Sequence, residues 1–135
     1  MTEKVVIDAQ VLFYFHYRSE KVPKLLKKLK QDVISGKITV IIPTIAISEL
    51  LWKIRRANKP LNNLKVAVER WEQSPNVIID NFDLEIVKYM LDTNESHELH
   101  DEIFAMTCRK YDTDVIYATD PKFEEVFDLK LRSWK

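Results

Sequence analysis

The sequence predicts an α/β protein, a three-layer α/β/α sandwich with a central, mainly parallel sheet of four to five strands. Three observations carry that expectation. Short β-branched runs alternate with longer segments of helical periodicity along the chain. Val5-Val6-Ile7 and Ile38-Thr39-Val40-Ile41-Ile42 are nearly unbroken apolar runs, as in strands buried on both faces of a parallel sheet. Acids stand just past the first and fourth such runs, Asp8 and Asp120, where the ligand-binding edge of an open α/β sheet lies.

Taken in order, Lys4 to Ile7 reads as the first strand and Val11 to Tyr17 as an apolar, aromatic helix. A second helix opens at Ser19 or Glu20. Val22, Leu25, Leu26, Leu29 and Val33 form its apolar side, with lysines 24, 27, 28 and 30 between them. Gly36 closes it as a cap, and Pro43 ends the second strand. Thr44 is expected to cap a helix running to about Asn58, and Pro60 to sit in the first turn of another that runs to about Gln73. Asn76 to Asp80 is the third strand, and Asp83 caps the helix Leu84 to Leu91. A polar loop from Asp92 to Glu98 leads to a helix that ends near Tyr111, with Ile103, Thr107, Cys108 and Tyr111 on its buried side. Val115 to Ala118 is the fourth strand, followed by a helical turn from Phe123 to Val126 and an edge strand from Asp128 to Leu131.

Composition narrows the function. The 135 residues, expected to form one domain over 1–135, are 46% hydrophobic and 31% charged, as in a globular protein. Lys plus Arg and Asp plus Glu both number 21, so a nucleic-acid partner would have to be held by a local basic face. The one cysteine, Cys108, has no internal disulfide partner and reads as a small buried apolar residue. With no long apolar run and no leader-like start, the expected location is cytoplasmic, away from membranes. Gly36 is the sole glycine, which excludes Gly-rich phosphate loops.

Four acids stand at element ends or in first turns: Asp8, Glu49, Asp101 and Asp120. Strand-to-helix junctions of a parallel sheet share one edge, so the four are expected to converge there. Clustered carboxylates with few cations repel one another, and one must hold a proton unless a divalent cation intervenes. Oxygen donors with several waters suit Mg²⁺ and Mn²⁺. Such an ion activates water and stabilises charge on a phosphoryl oxygen, the chemistry of phosphodiester hydrolysis.

Ile7-Asp8-Ala9, Ser48-Glu49-Leu50, His100-Asp101-Glu102-Ile103-Phe104-Ala105 and Ala118-Thr119-Asp120-Pro121-Lys122-Phe123 follow one another in that order. Together they resemble the four acidic motifs of PIN-domain ribonucleases, above all the small toxin-type (VapC-like) members. The resemblance implies Mg²⁺- or Mn²⁺-dependent cleavage of single-stranded RNA, a homodimer and a small antitoxin partner. It makes Asp8, Glu49, Asp101 and Asp120 the acidic metal-site residues. Three positions depart from the family pattern. Gln10 stands where Asn or Ser is usual, and Lys122 where many members carry a further acid. Ala118 replaces a usual Ser or Thr; the hydroxyl of Thr119, one residue on, is expected to face the other side of an extended chain.

These departures motivate an alternative, a catalytically weakened PIN-like module that binds RNA or protein. A phosphatase or phosphotransfer receiver using Asp8 or Asp120 is a third option, without a lysine and hydroxyl arrangement to support it. Lys53, Arg55 and Arg56 continue the helix that carries Glu49 and are the candidate RNA-binding strip. Other residues carry structural readings. Asp80 and Asp83 are expected in a turn and a cap, Asp112, Asp114 and Glu102 in solvent, and the four lysines on a solvated face. His16 reads as core or interface. His97 and His100 are three apart, unlike the HExxH spacing of zinc sites.

Overall fold

The computed structural model describes residues 2–16, 21–93 and 97–135. Five strands form one all-parallel sheet: β1 (Glu3–Ile7), β2 (Ile38–Pro43), β3 (Val77–Asp80), β4 (Val115–Tyr117) and β5 (Lys130–Arg132). Seven helices lie among the described residues: α1 (Ala9–His16), α2 (Lys24–Ile34), α3 (Thr44–Arg56), α4 (Asn62–Gln73), α5 (Leu84–Leu91), α6 (Leu99–Lys110) and α7 (Lys122–Glu125). The expected helix start at Ser19 or Glu20 lies outside the described residues, as does part of the 92–98 loop.

The strand order is β3-β2-β1-β4-β5. From β1 the chain steps outward to β2 and β3, then returns across the sheet to pair β4 with the other side of β1. The direction reverses between β1 and β4, and that crevice is where ligands bind in open α/β sheets. Right-handed crossovers send the helices before the reversal to one face and those after it to the other. Accordingly α1 packs on α3, and α5 packs on α6. Val5, Val6, Ile7, Ile41 and Ile116 are fully buried between the layers, which is why those strands read as apolar runs.

Three helices stop in the same way. After α2, the Gly36 N–H donates to Val33 O (3.1 Å) and Lys37 N–H to Asp32 O (2.8 Å), with Gly36 at φ 81°. Asn58 after α3 and Asp112 after α6 repeat that pair of bonds at φ 54° each. Asp112 is thus a helix stop and not merely a solvated connector.

Some boundaries differ from expectation. Thr44 is the first residue of α3 and gives no side-chain cap; Pro43 before it closes β2 opposite Asp80. Pro60 precedes α4, because the stop at Asn58 turns the chain and the helix begins only at Asn62. β5 begins at Lys130, since Asp128 adopts φ 56° and cannot extend a strand.

Candidate active site

Each of the four acids is set by an element end. Asp8 follows β1, and its backbone N–H donates to Tyr117 O of β4 (3.3 Å), which fixes it at the crevice. Its Oδ1 accepts the N–H groups of Gln10 (3.0 Å) and Val11 (3.2 Å), so it also caps α1. Glu49 lies in the second turn of α3 and Asp101 in the first turn of α6. Asp120 sits between β4 and α7, where its Oδ1 accepts the Lys122 N–H (2.9 Å). All four line one cleft of about 1010 Å³ over the reversal point. Lys53, His100, Gln10 and Thr119 line it with them.

The acids sense one another. Burial pushes Asp8 up to about 6, and Glu49 adds to the rise, against its two backbone hydrogen bonds and Lys53. Burial also raises Asp101, with Glu98, Asp120 and Glu49 contributing in the same direction and Lys122 opposing. These are oxygen donors short of positive charge, the condition a divalent cation relieves. Among the described residues no three His, Cys, Asp or Glu side chains are grouped closely enough to hold a metal ion. What the cleft does offer is donor type: its acids present carboxylate oxygens, which Mg²⁺ and Mn²⁺ take together with several waters.

Residues 5–128 match the profile of the PIN domain. The chain belongs to the PIN domain family. A comparison with curated proteins gives no match. Among solved structures, the fold is similar to a chain of VapBC2 from Rickettsia felis, crystallised with a DNA fragment from its promoter. The TM-score is 0.68, with 15% identity over 98% of this chain and 99% of that one. VapC20 of Mycobacterium tuberculosis, a sarcin–ricin loop cleaving toxin, is similar at TM-score 0.64 and 14% identity, over 90% of this chain and 93% of that one.

In this PIN domain Gln10, one of the departures, meets Thr119, the neighbour of the other, Ala118. β4 ends at Tyr117, and the chain bends at Thr119, so the extended-chain expectation for its hydroxyl fails. Thr119 lines the cleft, and its Oγ1 donates to Gln10 Oε1 (2.9 Å). The longer amide and the displaced hydroxyl thus form one contact beside Asp8 and Asp120. His100 is a cleft residue that spacing alone misses: its Nδ1 lies 2.7 Å from Glu49 Oε1. Its position next to Asp101 was the available signal. Trp52 and Phe82, both exposed, are further lining residues.

The basic strip divides. Lys53 enters the cleft, whereas Arg55 and Arg56 are not among its lining residues. The Arg56 guanidinium lies 4.6 Å from the Trp52 ring centroid, which joins it to the rim. Glu102, expected in solvent, is only 7% exposed, because α6 is buried continuously from Glu102 to Cys108. Asp83 caps α5 as expected, through the Ile86 N–H (3.2 Å). Asp80 ends β3 instead of lying in a turn. It is buried and accepts from Lys110 Nζ and Tyr111 Oη, both at 2.6 Å. Lys110 also reaches Asp83 Oδ2 (2.8 Å). Cys108 is buried, and burial pushes its thiol up to about 12. His97 packs on Phe127 at 4.9 Å between centroids, and His16 borders a second groove. No described helix is long and apolar enough to cross a membrane.

Proposed function

We propose that this PIN domain, a single domain over 1–135, is a Mg²⁺- or Mn²⁺-dependent endoribonuclease that hydrolyses single-stranded RNA. The observation that carries the proposal is that Asp8, Glu49, Asp101 and Asp120, from four separate segments, all line one cleft. Asp8, Glu49, Asp101 and Asp120 would hold the ion, directly or through water. Bound there, a divalent ion supplies Lewis-acid polarisation of the phosphoryl oxygens and lowers the pKa of a water. The chain does the rest. Asp8 and Asp120 are each held by backbone N–H groups on Oδ1, which leaves Oδ2 for the reaction. One carboxylate accepts the proton of the attacking water. Lys53 inside the cleft, with Arg55 and Arg56 farther along α3, would hold flanking phosphates without reading bases.

The likeness to VapBC2 and VapC20 supports a toxin role with a small antitoxin partner. A homodimer and action in the cytoplasm belong to the same proposal. The alternative of a catalytically weakened module draws on Gln10 and Ala118, and the Thr119–Gln10 bond weakens that motive. The deciding experiment is cleavage of an end-labelled unstructured RNA with and without Mn²⁺. Wild type should cut only with the ion, and Asp8→Asn should fall to background with an unchanged circular dichroism spectrum. A fully active Asp8→Asn, or RNA binding without cleavage at high Mn²⁺, would sink the proposal.

A further inference from the structure

The imidazole of His100 stands on α6 and the carboxylate of Glu49 on α3, and their 2.7 Å contact bridges the two helices at the cleft. A carboxylate offers only acceptors, so the proton between them is carried by His100 Nδ1. The pair does little for the fold. With His100 and Glu49 side chains 44% and 30% exposed, such a contact contributes at most about 1 kcal/mol of stability. Its consequence lies in the cleft. Asp8 and Asp120 are fixed by backbone N–H donors, whereas Glu49 is on a long, rotatable side chain whose hydrogen bond comes from another side chain. One oxygen held by His100 selects a single rotamer and leaves Oε2 available. Hydrogen-bond donors that orient a ligating carboxylate in this way commonly account for 10- to 100-fold in metal affinity.

We propose that His100 is a positioning residue: through Nδ1–H it orients Glu49 for a divalent cation, and it does not itself touch the ion. This inference rests on the metal-dependent reading above. The residue type is informative because Asn carries an amide nitrogen close to the place of the imidazole Nδ1, while it lacks anything at Nε2. His100→Asn therefore keeps the donor to Glu49 and removes any ligand at the far ring nitrogen.

The test is direct Mn²⁺ binding to the RNA-free protein, read from the loss of the free-ion signal in electron paramagnetic resonance. The wild type, His100→Ala, His100→Asn and Glu49→Gln are compared, with thermal unfolding as the control for the fold. His100→Ala should weaken binding by about 10- to 100-fold, His100→Asn should recover most of that loss, and His100→Ala should add little on top of Glu49→Gln. Unchanged affinity in His100→Ala, while the wild type binds Mn²⁺, would overturn the inference and leave the nuclease reading standing. A loss that His100→Asn does not restore would also overturn it, since the imidazole would then be acting as a ligand. A wild type that binds no Mn²⁺ removes the metal reading and this inference together.

Discussion

Asp8 shows what a single residue concedes to its role. Its ordinary pKa is 3.8 and burial carries it to about 6 in the fold, so the folded state holds this proton more tightly than the unfolded chain does. Its contribution is full below the unfolded value and is lost as pH rises through the folded one. Above that, the buried carboxylate burdens the metal-free protein by up to about 3 kcal/mol, at 1.36 kcal/mol per pKa unit. Asp8→Asn keeps an oxygen to accept the Gln10 and Val11 N–H groups and removes the charge. In chelator, the variant should be more stable than wild type by about 1–3 kcal/mol near pH 7.5, with the gap closing toward about pH 4. Urea unfolding at the two pH values measures it; equal stability near pH 7.5 would refute the expectation. At this scale the sequence was legible where a residue sits at a strand end, as Asp8 and Asp120 do. It was illegible where a contact depends on the angle between two helices. His100 and Glu49 are 51 residues apart, and nothing in either segment announces their meeting.

At the scale of elements, helix stops give two predictions of opposite sign. Gly36 occupies φ 81°, and a methyl group on its Cα would meet only Asn76 Nδ2, at 3.7 Å, so space is not the obstacle to a side chain there. Gly36→Ala should cost about 1 kcal/mol from backbone strain alone. Asp112 holds the same kind of position at φ 54°, with a negative charge beside the negative end of α6. Asp112→Gly should therefore stabilise by roughly 0.5–1 kcal/mol. Chemical denaturation of both variants checks the signs, and a stabilised Gly36→Ala would refute the argument. The glycine was readable as a cap; the two non-glycine stops were not, because Asn and Asp serve as well in caps and loops.

The far end of α6 is pinned by a contact the sequence does not reveal. Asp80, 3% exposed, is paired with Lys110, and burial together with its own hydrogen bond to Asp80 pushes Tyr111 up to about 12, against the Lys110 charge. Lys110→Met would strand the carboxylate with only the tyrosine hydroxyl. A loss of about 3 kcal/mol is expected, with much of it recovered in the double variant Asp80→Asn/Lys110→Met. A cost below about 1 kcal/mol would show the pair to be incidental. α6 also carries Asp101 and His100 at its other end, so the same lock holds the helix that delivers them to the cleft.

For the whole molecule, a parallel sheet was implicit in alternating strand and helix patterns, but the strand order, with its reversal between β1 and β4, could be seen only in the fold. That reversal, and not proximity in sequence, gathers the acids. The same view constrains RNA binding. Twenty-one basic side chains balance 21 acidic ones, so no global field draws a polyanion in. Affinity must come from the few cations near the cleft, of which Lys53 lies inside and Arg56 stands at the rim on Trp52. Each phosphate neutralised on a single strand contributes about 0.7 to the slope of log affinity against log salt. Two or three contacts set a slope between about −1.4 and −2.1, shallow for a nucleic-acid-binding protein. Lys53→Ala should flatten it by about 0.7 and weaken all sequences alike, because a phosphate contact reads no base. Titration of a nuclease-resistant single strand at several salt concentrations measures both. A slope of about −5 or steeper, which takes about seven phosphate contacts, would place the binding surface elsewhere than these few cations.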